Sequence, residues 1–261
     1  MCSKAREPRI MGVINVTPDS FSDGGDTFDI NDAIAQGELF AQLGAQIVDV
    51  GGESTRPGAL SIDQDEELRR VIPVIRALSP NIRVSVDTTK PRVAQLAVEA
   101  GATLINDISA SLAEVAASNG VGWVAMHMQG VPFDMQQRPH YEDVVTEVAQ
   151  FLRNRADWAN SLGISEVWLD PGIGFGKSFE HNLELLASVN KIVEIGYPVL
   201  VGTSRKTFIG KLAFLREGTV PVPKDRMEGS LATAAWCYAH GVTAMRVHDV
   251  KEVSQYCSLL G

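Results

Sequence analysis

The chain has 261 residues and a formal charge of −9, with 45% hydrophobic and 21% charged residues. That composition suits a folded globular protein, and the acidic balance argues against nucleic acid or an anionic membrane as partner. No uncharged apolar run approaches the length of a membrane span and no leader-like segment is visible, so a cytoplasmic protein is expected. Cys2, Cys237 and Cys257 are too few and too scattered for a metal cluster or a disulfide framework, which suits reduced thiols.

Along the chain, short and almost continuously apolar runs recur, each leading to a helical pattern. Ile10–Ile14 precedes Ala33–Leu43, Ile47–Val50 precedes Asp65–Leu78, and Arg83–Val86 precedes Arg92–Ala100. Thr103–Ile105 leads to Ala113–Asn119, and Trp123–Ala125 to Val144–Leu162. Val167–Leu169 leads to Asn182–Ile195, Val199–Val201 to Gly229–His240, and Ala244–Val247 to Val250–Leu259. Apolar runs of this kind suit parallel strands buried on both faces. Gly44, Gly101, Gly120, Gly163, Gly196 and Gly241 each follow a helical stretch, where a left-handed residue ends it. Eight such units predict an α/β protein, a (β/α)8 TIM barrel, with residues 1–261 as one domain. The Gly-x-Gly-x-x-Gly fingerprint of the open doubly wound alternative is missing.

In such a barrel the loops after the strands form the catalytic face. Polar residues stand at or near every strand end: Asn15, then Asp49 with Glu53 to Arg56, Asp87, Asn106-Asp107, His127, Asp170, Ser204-Arg205-Lys206, and Arg246 with His248. Any one of these is as readily a helix cap. Asp49 and Asp107 are the best candidates for structural roles, His127 for a satisfied core histidine and Arg205 for a surface ion pair. The recurrence across all the strand ends is harder to dismiss. Asp87, Asn106 and Asp170 suit the donor-rich edge of a nitrogen heterocycle, while Lys206, Arg246 and His248 fall where these barrels hold phosphate. Two long loops, from Val16 to Gly25 and from Gly51 to Gly58, read as lids that order on ligand.

These strings closely resemble the dihydropteroate synthase family. Asn15-Val16-Thr17-Pro18-Asp19-Ser20-Phe21-Ser22-Asp23-Gly24-Gly25 is similar to its first signature, and Gly51-Gly52-Glu53-Ser54-Thr55-Arg56-Pro57-Gly58 to its second. Further matches are Ser85-Val86-Asp87-Thr88, Asn106-Asp107-Ile108-Ser109, Met126-His127-Met128-Gln129-Gly130, Asp170 to Lys177, Ser204-Arg205-Lys206 and Arg246-Val247-His248-Asp249.

The resemblance implies a transferase that joins 4-aminobenzoate to (7,8-dihydropterin-6-yl)methyl diphosphate in folate synthesis. It implies Asp87, Asn106, Asp170 and Lys206 on the pterin, Asn15, Thr55, Arg246 and His248 on the diphosphate, and Arg56 on the aminobenzoate side. Asn15 would also touch Mg²⁺, and Phe21, Pro57, Phe175 and Ser204 would shape the aminobenzoate side. Asp87, Asp170, Lys206 and Arg246 would carry the chemistry. A sulfonamide-binding homodimer is expected; Ala234, Ala235, Tyr238, Tyr256 and Leu260 could serve its interface or, as is commoner, pack on the barrel. One departure from the family is a short fourth loop, where Ala110-Ser111-Leu112 runs directly into the helix. A pterin-binding methyltransferase-type barrel is the nearest alternative. It has no need of Thr55-Arg56, Ser204-Arg205-Lys206 or Arg246-x-His248. An inactive pterin-binding paralogue would be expected to have lost loop-1 or basic residues, and none is missing.

Overall fold

The computed structural model describes residues 9–17, 30–56 and 58–259. Eight parallel strands form one sheet: β1 Arg9–Asn15, β2 Ile47–Gly51, β3 Arg83–Asp87, β4 Leu104–Asp107, β5 Gly122–Met126, β6 Val167–Asp170, β7 Leu200–Val201 and β8 Ala244–Val247. The strand order is β6-β5-β4-β3-β2-β1-β8-β7, and an isolated parallel bridge between Leu169 and Val199 closes the ring. The expected (β/α)8 TIM barrel is therefore observed, as a single domain.

The helices are α1 Ile30–Gln42, α2 Gln64–Leu78, α3 Pro91–Glu99, α4 Ala113–Asn119, α5 Val144–Ser161, α6 Phe179–Ala187, α7 Val189–Val193, α8 Thr207–Glu217, α9 Met227–Ala239 and α10 Val250–Ser258. Local chemistry starts several of them. Asp143 accepts the Thr146 N–H at the start of α5, Ser178 and His181 form a capping box on α6, and Pro91 opens α3. The six glycines expected after helices all have positive φ.

Two expectations need correction. The single helix expected over Asn182–Ile195 is two, α6 and α7, broken at Ser188. An unforeseen helix, α8, follows β7. Its apolar residues do not share one face: Phe208 and Ile209 are buried, whereas Leu212, Phe214 and Leu215 are exposed. No periodic stripe therefore marks it in the sequence.

Alternate strand residues point to two different cores. Outward-facing Ile14, Val48, Val50, Val86, Ile105, Ala125, Leu169 and Val247 pack under the helices with Phe40, Leu78, Val93 and Leu152. Inward-facing Met11, Ile47, Leu104, Val124, Trp168, Leu200 and Ala244 form a separate plug inside the barrel. No helix among the described residues is long and apolar enough to cross a membrane.

Candidate active site

The plug fixes where the site begins. Two residues beyond its members stand Val13, Asp49, Asn106, Met126, Asp170, Gly202 and Arg246. The strand period of two aims these into the same interior, one step nearer the mouth. The apolar floor thus gives way within one layer to a polar cradle.

Arg246 organises one side of that cradle. Its Nε donates to Asp49 Oδ2 and its Nη2 to Asp87 Oδ2, both at 2.7 Å. Asn106 Nδ2 donates to the same Asp49 oxygen at 2.9 Å. One guanidinium therefore serves two buried carboxylates, and Asp49 Oδ1, Asp87 Oδ1 and Ser85 Oγ are buried without a partner among the described residues. Burial pushes Asp87 up to about 7 against the pull of Arg246, and the neighbouring Asp49 adds to the push. The carboxyl edge is arranged to receive donors it does not yet have.

Asp170 stands on the other side. Its Oδ1 accepts the Gly172 N–H at 2.7 Å. Burial raises its pKa, opposed by Lys206, that N–H, Lys177 and Arg246. Two glycines in the loop after β6 are required by close approach. A Cβ on Gly172, at φ 64°, would lie 1.9 Å from the His127 carbonyl oxygen, and one on Gly176, at φ 59°, would lie 2.1 Å from that of Gln129. Lys206 donates to the Ile173 carbonyl and lies 4.7 Å from the centre of the Phe175 ring. Burial pushes it down to about 8 despite the pull of Asp170, with Arg246 adding to the depression.

At the rim, loops 7 and 8 are fastened together. Ser204 Oγ accepts the His248 N–H at 3.2 Å and lies 3.1 Å from its Nδ1. Arg205 takes the left-handed conformation, φ 61°, and grips Asp249 with two guanidinium nitrogens. That turn sends Arg205 away from the cradle, so its role is an inter-loop ion pair. Burial pushes His248 down to about 3, helped by the positive charges of Arg246, Arg205 and Arg56. A histidine repelled by several cations marks a place where an anion is wanted.

The fate of the remaining candidates is mixed. Asp107 is structural, as expected: it accepts from Ser109, Ser111, Leu112 and Trp123, and so folds the short fourth loop. Asp49 is not merely structural, because it anchors Arg246 and Asn106 inside the cradle. Its signal was present in the sequence, since Ile47 leads to Asp49 just as Leu104 leads to Asn106. His127 turns outward against Phe151 of α5 and does not join the rim.

Loop 2 is pinned by polar contacts: Glu53 pairs with Lys90 and accepts from Ser61 and Ile62, and Arg70 binds the Gly52 carbonyl. Within it Thr55 is half-buried and Arg56 exposed. Asn15 is half-buried at the end of β1. Phe21, Pro57, Leu260 and loop 1 from Pro18 to Gly25 lie outside the described residues. Ala234 is buried against the barrel and not free for an interface.

The chain matches the family model described as pterin binding enzyme over residues 11–248. It is 42% identical over 259 residues to the dihydropteroate synthase of Synechocystis sp., covering 96% of this chain and 88% of that protein. The Yersinia pestis dihydropteroate synthase, solved with a sulfonamide drug complex, superposes with a TM-score of 0.90 at 40% identity, covering 97% of this chain and 93% of that one. The Xanthomonas albilineans enzyme in complex with 7,8-dihydropteroate gives 0.85 at 42% identity, covering 97% and 92%. Sequence, fold and the polar layer above the plug agree, and the chain belongs to the dihydropteroate synthase family of pterin-binding enzymes.

Proposed function

We propose that the enzyme condenses (7,8-dihydropterin-6-yl)methyl diphosphate with 4-aminobenzoate, forming 7,8-dihydropteroate and diphosphate. The observation that carries this is the buried cradle in which Asp49 Oδ1, Asp87 Oδ1 and Ser85 Oγ have no partner among the described residues. Buried acceptors left without donors one layer above an apolar plug suit the edge of a flat, donor-rich ring. Asp170, with Oδ1 fixed by Gly172, offers its second oxygen to the same ring.

The residues then divide the work. Asp87, Asn106 and Asp170 hold and orient the pterin, and the two carboxylates favour positive charge as it develops on the ring and its methylene. Arg246, Lys206 and His248, with Thr55 and Asn15 at the rim, receive the departing diphosphate. Lys206 over Phe175 places a cation and an aromatic face together, where the aminobenzoate would lie beside Ser204 and Arg56. Loops 1 and 2, with Phe21 and Pro57, would exclude water so that the weak aniline nucleophile captures the electrophile. The carbon–oxygen bond to diphosphate breaks, the carbon–nitrogen bond forms, and the amine proton leaves.

Mg²⁺ is part of the same reading. Among the described residues no group of three or more His, Cys, Asp or Glu side chains is placed to hold a metal. A single amide oxygen such as that of Asn15 fits Mg²⁺ only together with substrate oxygens and water, the usual mode for this ion. Bound there, the ion would neutralise leaving-group charge.

A cytoplasmic homodimer completes the proposal. Leu212, Phe214 and Leu215 of α8, Val220 and Val222 after it, and Trp236 of α9 are all exposed, an apolar set suited to a second copy of the chain. Sedimentation of a Phe214→Lys, Leu215→Lys double variant as a monomer would support that surface, and an unchanged dimer would exclude it. The activity itself is tested by product detection with the pterin diphosphate, 4-aminobenzoate and Mg²⁺. No dihydropteroate under conditions where a known synthase turns over would overturn the reading.

A further inference from the structure

We propose that Lys177, at the end of the loop after β6, is a positioning residue for Asp170: a buried cation that fastens the ends of β5 and β6 together and keeps that carboxylate ionised. The proposal rests on the reading of Asp170 as a pterin ligand.

Lys177 is the unusual charge of this molecule. It is only 2% exposed, yet it makes no ion pair among the described residues. Its Nζ lies 2.9 Å from His127 Nδ1, 3.0 Å from the Phe175 carbonyl oxygen and 3.3 Å from that of His127. Three neutral acceptors account for the three ammonium hydrogens. Burial holds His127 neutral, down to about 3, with Lys177 adding to the effect. Its Nδ1 therefore accepts from the ammonium and its proton sits on Nε2. A buried ammonium with only neutral partners is costly to keep, and a methionine would fill the same volume without that cost.

What the charge does follows from where its bonds lead. The His127 carbonyl that Lys177 grips is the atom against which Gly172 is packed, and the Gly172 N–H fixes Asp170 Oδ1. The His127 N–H in turn binds the Asp170 carbonyl at 2.9 Å. Lys177 is thus one hydrogen bond from the backbone that aims the carboxylate. It also holds the Phe175 carbonyl, and so the backbone beneath the ring on which Lys206 rests.

The charged and titratable groups felt at Asp170 come from four directions: Lys177 from its own loop, Lys206 from the loop after β7, Arg246 from β8 and the thiol of Cys237 from α9. The three cations oppose the burial that raises the Asp170 pKa, and burial pushes the thiol up to about 12, so it stays neutral. Asp170 in turn supports the charge on Lys177, which burial, with Lys206, pushes down to about 7. Lys177 thereby gives Asp170 a countercharge that is itself fixed by His127 and the Phe175 carbonyl.

Two variants separate charge from bracing. Lys177→Gln keeps two donor hydrogens for the Phe175 and His127 carbonyls but carries no charge, and Lys177→Met has neither. Binding of 6-hydroxymethylpterin is followed by calorimetry across the acid and neutral range. In both variants the acid limb moves to higher pH by roughly one unit, so that affinity below the limb falls about tenfold. The Gln variant rejoins the wild type above the limb. A Gln profile superimposed on wild type, with Met weakened equally at every pH, would make Lys177 a brace only and overturn the proposal. Asp170→Asn serves as the control. Unchanged affinity there removes the pterin role of Asp170 and this inference with it. Lost affinity there, with wild-type profiles in both Lys177 variants, removes the inference alone.

Discussion

The two ends of the barrel hold clusters of similar composition in opposite conditions. At the bottom, Glu166 takes Arg83 through both carboxylate oxygens at 2.9 and 2.6 Å, accepts from Trp168 Nε1 at 2.9 Å and has Arg9 nearby. Arg83 also reaches Thr103, and Arg9 lies over the Trp168 ring. Burial alone would raise Glu166, but these donors outweigh it and hold the carboxyl below its ordinary value. At the mouth one guanidinium is divided between Asp49 and Asp87, and three buried oxygens lack partners among the described residues. The bottom cluster is complete and stabilises the fold. The mouth is left incomplete, and ligand has to finish it.

The largest effect should come from removing the shared guanidinium. Arg246→Met takes from two buried carboxylates the guanidinium they share, a change that costs about 3–5 kcal/mol where a buried pair is broken. Synthase activity should be lost, and the remaining protein should gain stability as pH falls and Asp87, which burial already pushes up to about 7, protonates. Turnover together with thermal unfolding over a pH series reads both. A variant as stable and active as wild type would show that the mouth is not the strained end.

Next is Asp170→Asn. An amide keeps the shape but surrenders a charge-assisted acceptor, so pterin binding should weaken by about 1.5–3 kcal/mol with the fold intact. Calorimetry with a pterin ligand checks it.

A smaller effect is expected at His248, neutral because burial and three arginines hold it down to about 3. Pyrophosphate would answer those arginines, raise the imidazole pKa and draw in a fraction of a proton from mildly acidic buffer. Its binding enthalpy should then vary with the ionisation enthalpy of the buffer. Identical enthalpies would mean that the imidazole stays neutral and only donates a hydrogen bond.

The smallest functional effect belongs to the bottom end. Glu166→Gln should leave kcat/KM unchanged and lower stability by about 1 kcal/mol or less, since the pair is partly exposed. The folded-state pKa is depressed, so the stabilisation is present above the unfolded carboxyl value and is lost as pH falls through the folded one. The deficit of the variant, read by denaturant unfolding, should therefore shrink in acid.

The sequence was most legible where backbone and burial act alone. The interior strands betray themselves because both faces must be apolar, and Asp107, read as structural because Asn106 beside it could carry the ligand, caps the N–H groups of the short fourth loop. Three things were hidden for stated reasons. Helix α8 lacks a stripe because its exposed apolar residues stand where solvent would demand polar ones. Asp49 was discounted beside Glu53, although the period of two from Ile47 already aimed it inward. Lys177 stood out only as the last residue of the string from Asp170, because nothing in Gly176-Lys177-Ser178 shows that its ammonium is buried against the His127 and Phe175 carbonyls.

The seam of the ring sets a rule for redesign. β7 has only two residues, and the bond from Leu169 to the Pro198 carbonyl and one isolated bridge join it to β6. A circular permutant opened between α6 and α7 would thus cut the chain where the fewest lateral bonds depend on continuity. The same cut would leave Asp170 and Lys206 on opposite termini of the new chain, so the place most permissive for connectivity is the least permissive for chemistry.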